Sequence, residues 1–218
     1  MTGNDLSVNL GLRLEDPAQS VFTAQAKMDA VNLAQKTVVN MIDNTYLTEL
    51  QTIKNDQSLT NGSVTFATAG IDPIRGAIIG VFDETNDVWC TMIEPGDVKR
   101  LENSYLSGNT TNPVAYVFGS TIYVKPTSIA TVDIWYLKSP TDFNHSDSGS
   151  TAGGMGYQCE LNDALQELVL DFAEAQLWRM DSKLDRASSA YNSAINVVKA
   201  LNDRYQIEKP KGIGTKGR

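Results

Sequence analysis

Histidine and cysteine set the limits on what chemistry this chain can do. The one histidine, His145, sits between Asn144 and Ser146 in a stretch rich in Ser, Gly, Thr and Asp. A general base needs a fixed rotamer and an orienting partner, and such a stretch supplies neither. His145 therefore reads as a solvated loop residue, and a His–His zinc site is impossible. Cys90 lies inside the apolar run VWCTMI and Cys159 lies next to a helix start. A helix N-terminus can lower a thiol pKa, so Cys159 is the more reactive candidate. Without a placed histidine, both read as small buried or half-buried apolar side chains. Two cysteines are too few for a disulfide scaffold, which points to synthesis in a reducing cytoplasm.

The carboxylates are numerous but poorly spaced for catalysis or metal binding. DETND (residues 83–87) and the pair Asp181/Asp185 lack the alternation and closing glutamate of a calcium loop, and they read as turn and cap residues. Glu160, Glu167 and Glu174 recur every seven residues, which puts them on one helix face rather than across a cleft. GSTAGGMG (149–156) follows no strand and lacks a Gly-Lys-Ser/Thr ending, so it reads as a linker and not a phosphate loop. No cofactor is implied.

Charge is unevenly distributed. Over 218 residues the formal charge is −8. The last ten, KPKGIGTKGR, carry Lys209, Lys211, Lys216 and Arg218 with no acid, so subtracting their +4 leaves −12 on residues 1–208. Such a body argues against general nucleic-acid binding, which needs a basic face to displace counterions. No run reaches the ~18 apolar residues of a membrane span, and no basic-then-apolar leader opens the chain.

The elements follow from periodicity. Residues 1–15 show no clear period. Asp16-Pro17 reads as a helix start, with Asp16 as N-cap, and Val21, Ala24, Met28, Val31, Ala34, Val38 and Ile42 give one apolar face over 17–42. Asn61-Gly62 marks a turn, and strand-like runs follow: AIIGVF, VWCTMI, AYVFG, TIYVKP and ATVDIWYL. In the last run Asp133 directs the Val132, Ile134 and Tyr136 face inward. PGDVKRLENSYL suits a brief helix. Residues 139–158 are too polar to bury a core. The region 160–181 is apolar around its circumference and reads as a central helix. Ser182, with Asp185 three residues on, looks like the cap of a second helix. Its seam is Leu184, Ala187, Tyr191, Ala194, Val198, Leu201 and Tyr205, antiparallel to the first.

The expected fold is thus α+β: an N-terminal long helix, an inserted block of about five or six short strands, a C-terminal antiparallel helical hairpin and an extended tail. Residues 1–206 read as a single domain, divided into a helical part (1–55), a β-rich part (56–138), a flexible loop (139–159) and the hairpin (160–206). Residues 207–218 form a basic arm, either a solvated terminus or a segment that orders on a partner, with Ile213 as apolar anchor.

Three segments in this order carry a family resemblance: DPAQSVFTAQAKMDAVNLAQKTVVNMI; then PIRGAIIGVFDETNDVWCTMIEPGDVKRL with AYVFGSTIYVKPTSIATVDIWYLKSP; then CELNDALQELVLDFAEAQLWRMDSKLDRASSAYNSAINVVKALNDRY. As an ordered set they resemble the head-to-tail adaptor (connector, head-completion) proteins of tailed bacteriophages. The resemblance implies a non-enzymatic structural virion protein in the neck between head and tail, made in the bacterial host cytoplasm. It implies a ring of about twelve copies that binds the portal protein, meets the tail or nozzle proteins, and passes double-stranded DNA without reading its sequence. Lys209, Lys211, Ile213, Lys216 and Arg218 then become candidate portal contacts. The competing readings are another neck, tail-tube or nozzle protein, a small virion-associated hydrolase using Glu167, and a soluble host protein with a binding hairpin.

Overall fold

Thr2 and Asp5 begin the first helix. The Thr2 hydroxyl accepts from the Asp5 N–H, and the Asp5 carboxylate accepts from the Thr2 N–H, a reciprocal cap that starts α1 (Gly3–Arg13). The computed structural model describes residues 1–102 and 107–208. The described residues form a mixed α+β chain of five helices and two sheets. It divides into two compact units: Met1–Glu49 with the chain from Pro140 onward, and Leu50–Ser139.

The first unit is helical. α2 (Ala24–Met41) starts seven residues later than the expected 17, with Thr23 and not Asp16 as N-cap. Asp16 instead folds the preceding loop. Its carboxylate accepts from the N–H groups of Ser20, Val21 and Phe22 and from the Ser20 hydroxyl. Val21, expected inside, is therefore left on the surface at 57% exposure. Met28, Val31, Ala34, Val38 and Ile42 are buried as their spacing requires.

α4 (Asp163–Met180) packs against α1, α2 and α5 (Leu184–Glu208). It buries Leu165, Leu168, Val169, Phe172, Leu177 and Trp178, each contributing roughly 1.5–3 kcal/mol of apolar transfer. The expected Ser182 cap is replaced by a different device. Ser182 has φ +60, its N–H reaches the Arg179 carbonyl, and the Lys183 N–H reaches the Trp178 carbonyl. That pair of bonds is a Schellman motif ending α4, with serine in the left-handed position usually held by glycine. Among its described side chains α5 buries little beyond Ala187, Ala194 and Val198; Tyr191 leans its ring on Phe172 at 5.7 Å.

Residues 139–158 do bury apolar groups, contrary to their composition. Asn32 of α2 grips the Phe143 backbone through both its amide atoms at 2.8 Å, and Phe143 and Met155 are buried.

The second unit is two four-stranded sheets around a shared core. One runs β1 (Gln51–Ser58), β8 (Thr131–Lys138), β3 (Pro73–Asp83), β4 (Val88–Trp89), all antiparallel. The other runs β2 (Ser63–Thr65), β7 (Thr121–Lys125), β6 (Val114–Phe118), β5 (Thr91–Met92), with β5 parallel to β6. That makes eight strands among the described residues rather than five or six. The short helix α3 (Phe66–Ala69) follows β2, and a 3-10 segment covers Pro95–Glu102. Val132, Ile134 and Tyr136 face the core, as the position of Asp133 requires, alongside Val81, Ile122 and Val124. Asn61 and Gly62, φ +52 and +73, make the expected tight turn, where a Cβ on Gly62 would lie 2.7 Å from the Val124 carbonyl.

Candidate functional surfaces

Most of the residues with catalytic potential serve the fold. His145 has only the neighbouring Ser146 hydroxyl at hydrogen-bond distance among the described contacts, 3.2 Å from Nδ1. Cys90 is buried in the β core, where burial and then the negative Asp83 push its thiol up to about 12. Burial likewise raises Cys159, whose Sγ points at Gln35 Oε1 at 3.6 Å, so its position before α4 does not activate it. The DETND acid Asp83 accepts from the N–H groups of Thr85 and Asn86 and from the Asn86 amide, which closes the β3–β4 hairpin. Asp181 pairs with Lys183 at 2.7 Å. Among the described residues there is no group of three or more His, Cys, Asp or Glu placed to hold a metal ion.

The seven-residue glutamate series is not one face. Glu160 precedes α4 and accepts from the Thr141 N–H and the Tyr157 hydroxyl. Glu167 and Glu174 do share a face with Asp171, and all three surround Arg13 of α1. Its guanidinium lies 2.5 Å from Glu167 and Asp171 and 3.9 Å from Glu174. Glu174 also accepts from the indole N–H of Trp178, over whose ring Lys183 and Arg186 sit at 4.7 and 4.8 Å. These contacts line a charged furrow between α1, α4 and α5. Arg13 holds two of these carboxylates at 2.5 Å, which suits bracing α1 against α4 rather than acid–base work.

The opposite flank of α5 is apolar. Leu33 and Thr37 of α2, Phe172, Arg179 and Met180 of α4, and Tyr191 of α5 line a groove of about 410 Å³. Leu33 is 50% exposed and Met180 63%. In the second unit the outer face of the β1–β8–β3–β4 sheet is aromatic. Trp89 meets Phe82 and Trp135 edge-on at 5.3 and 5.4 Å, and its ring covers Gly80, where a Cβ would lie 2.8 Å away. Beside it Glu84 shares a hydrogen bond with Asp56. That bond first, then burial and the negative Asp133 and Asp56, raises its pKa.

A chain whose cysteines are buried, whose Glu167 and Asp171 are held by Arg13, and whose apolar side chains reach the surface in patches is organised for contact. The SU10 adaptor protein family matches residues 1–212. The chain belongs to that family. No curated protein matches it. Membership in the SU10 adaptor protein family makes it a structural phage adaptor and implies a component of the virion neck. It also bears out the resemblance read from the order of segments. No described helix of this adaptor is long and apolar enough to cross a membrane.

The expected portal contacts Lys209, Lys211, Ile213, Lys216 and Arg218 lie outside the described residues. Sequence reading missed the apolar groove. Leu33 stands apart from the Met28–Ile42 stripe, and that displacement was its one visible signal.

Proposed function

We propose that this adaptor assembles as a ring of about twelve copies on the portal protein, links it to the tail, and forms part of the channel through which DNA passes. The carrying observation is the family match across residues 1–212. In this reading residues 1–206 act as the adaptor body and 207–218 as an arm, with Lys209, Lys211, Lys216 and Arg218 meeting acidic groups on the portal and Ile213 as apolar anchor. The −12 on residues 1–208 supports a conduit role, because a negative wall repels phosphate and lets a duplex slide.

The test is co-sedimentation of the purified chain with portal rings. The full chain is expected to sediment with portal, and a chain lacking residues 207–218 is expected to lose most of that binding, the more so at high salt. Undiminished binding of the truncated chain would remove the arm from the account. A density map of the assembly with a basic lumen would remove the conduit.

A further inference from the structure

We propose that neighbouring adaptor copies join by seating the outer stripe of α1 from one copy in the α2–α4–α5 groove of the next; this rests on the ring reading above. α1 buries Leu6 and Leu10 against its own unit, yet it also carries apolar side chains outward. Val8 is 62% and Leu12 60% exposed. Asp5 lies three residues before Val8 on the same face, so the stripe is apolar with an acid at its N-terminal end.

The groove is its complement. Its floor and walls are Leu33, Phe172, Met180 and Tyr191, and Arg179 stands on its rim. Arg179 is exposed, and its side chain has no ion-pair partner among the described residues. Asp5, exposed while it caps α1 with Thr2, would supply one. Aromatic, methionine and arginine side chains are the types enriched at protein interfaces, while lysine and acids are depleted, and the groove has that composition.

No α1 residue lines the groove, so a copy does not fill its groove with its own stripe. Two different surfaces that complement one another make a heterologous contact, which propagates head to tail and closes into a ring when the rotation allows. A two-fold dimer would instead need one patch that matches itself.

Two variants separate the surfaces. Val8→Lys/Leu12→Lys breaks the stripe and leaves the groove; Leu33→Glu/Met180→Glu breaks the groove and leaves the stripe. All four positions are at least half exposed, so both variants are expected to keep the native melting profile. Each alone is expected to stay monomeric by native mass in the absence of portal. Mixed in equal amounts they are expected to stop at a dimer, one intact stripe in one intact groove. A chain carrying Leu12→Cys and Met180→Cys, treated with a short bismaleimide, is expected to give a ladder of linked multimers, because Cys90 and Cys159 are buried. Rings from either variant alone, or native rings with no ladder, would overturn the assignment and leave the ring reading intact. A native chain that stays monomeric even on portal would overturn both.

Discussion

At the scale of single residues, the loop before α2 is held by a charge. Asp16 is 3% and Lys27 1% exposed; Lys27 Nζ lies 2.7 Å from the Asp16 carbonyl and 3.5 Å from its carboxylate. The Phe22 N–H, against the cost of burial and with help from Ser20 and Val21, holds the Asp16 carboxyl well below its ordinary range. A depressed folded-state pKa contributes stability above the unfolded value, ~3.9, and loses it as pH falls toward the folded one. Asp16→Asn should therefore lower the melting temperature at neutral pH and flatten the loss of stability below pH ~4. A variant whose melting temperature tracks the native one from pH 7 to pH 3 would contradict this role. Ser182 offers the opposite case. A left-handed conformation strains any residue with a Cβ, so Ser182→Gly should raise stability by ~0.5–1 kcal/mol in denaturant unfolding, after the added freedom of the unfolded chain is counted. A decrease would show that the serine side chain has a further use.

At the scale of elements, what periodicity exposes and what it conceals are both visible. α4 was legible because its apolar residues occupy most of its circumference, and β8 because Asp133 marks its outer face. α1 was concealed because Val8 and Leu12 lie outward and blur the Leu6–Leu10–Leu14 spacing, and the Thr2/Asp5 cap that starts it emerged only with the structure. β1 was passed over because its side chains are polar. It is an edge strand, paired on one side only, with Ile53 opposite Trp135. The Asp16-Pro17 cap failed because the same carboxylate can close a loop as well as a helix. Serine likewise serves either end of a helix, and only the backbone turn at residue 182 decides which. α5 depends on few buried contacts, among which Ala194 is fully covered. Ala194→Leu should cost about 1–3 kcal/mol by overpacking against α4, read from the denaturation midpoint. No change would mean that α5 can shift to accommodate the larger side chain.

At the scale of the whole molecule, an acidic chain with both cysteines buried belongs to the SU10 adaptor protein family. The candidate surfaces came from the fold more than from the sequence. The groove draws on α2, α4 and α5 together, and no local pattern announces a surface assembled from three helices. The charge split between residues 1–208 and the tail was legible, because charge can be counted without a structure. The central claim is that copies of this chain close into a ring on the portal, and native mass measurement of the portal-bound complex tests it most directly. The account predicts a ring of about twelve adaptor copies on each portal ring. A complex with one or two adaptor chains per portal ring, or free monomer beside bare portal, would contradict it.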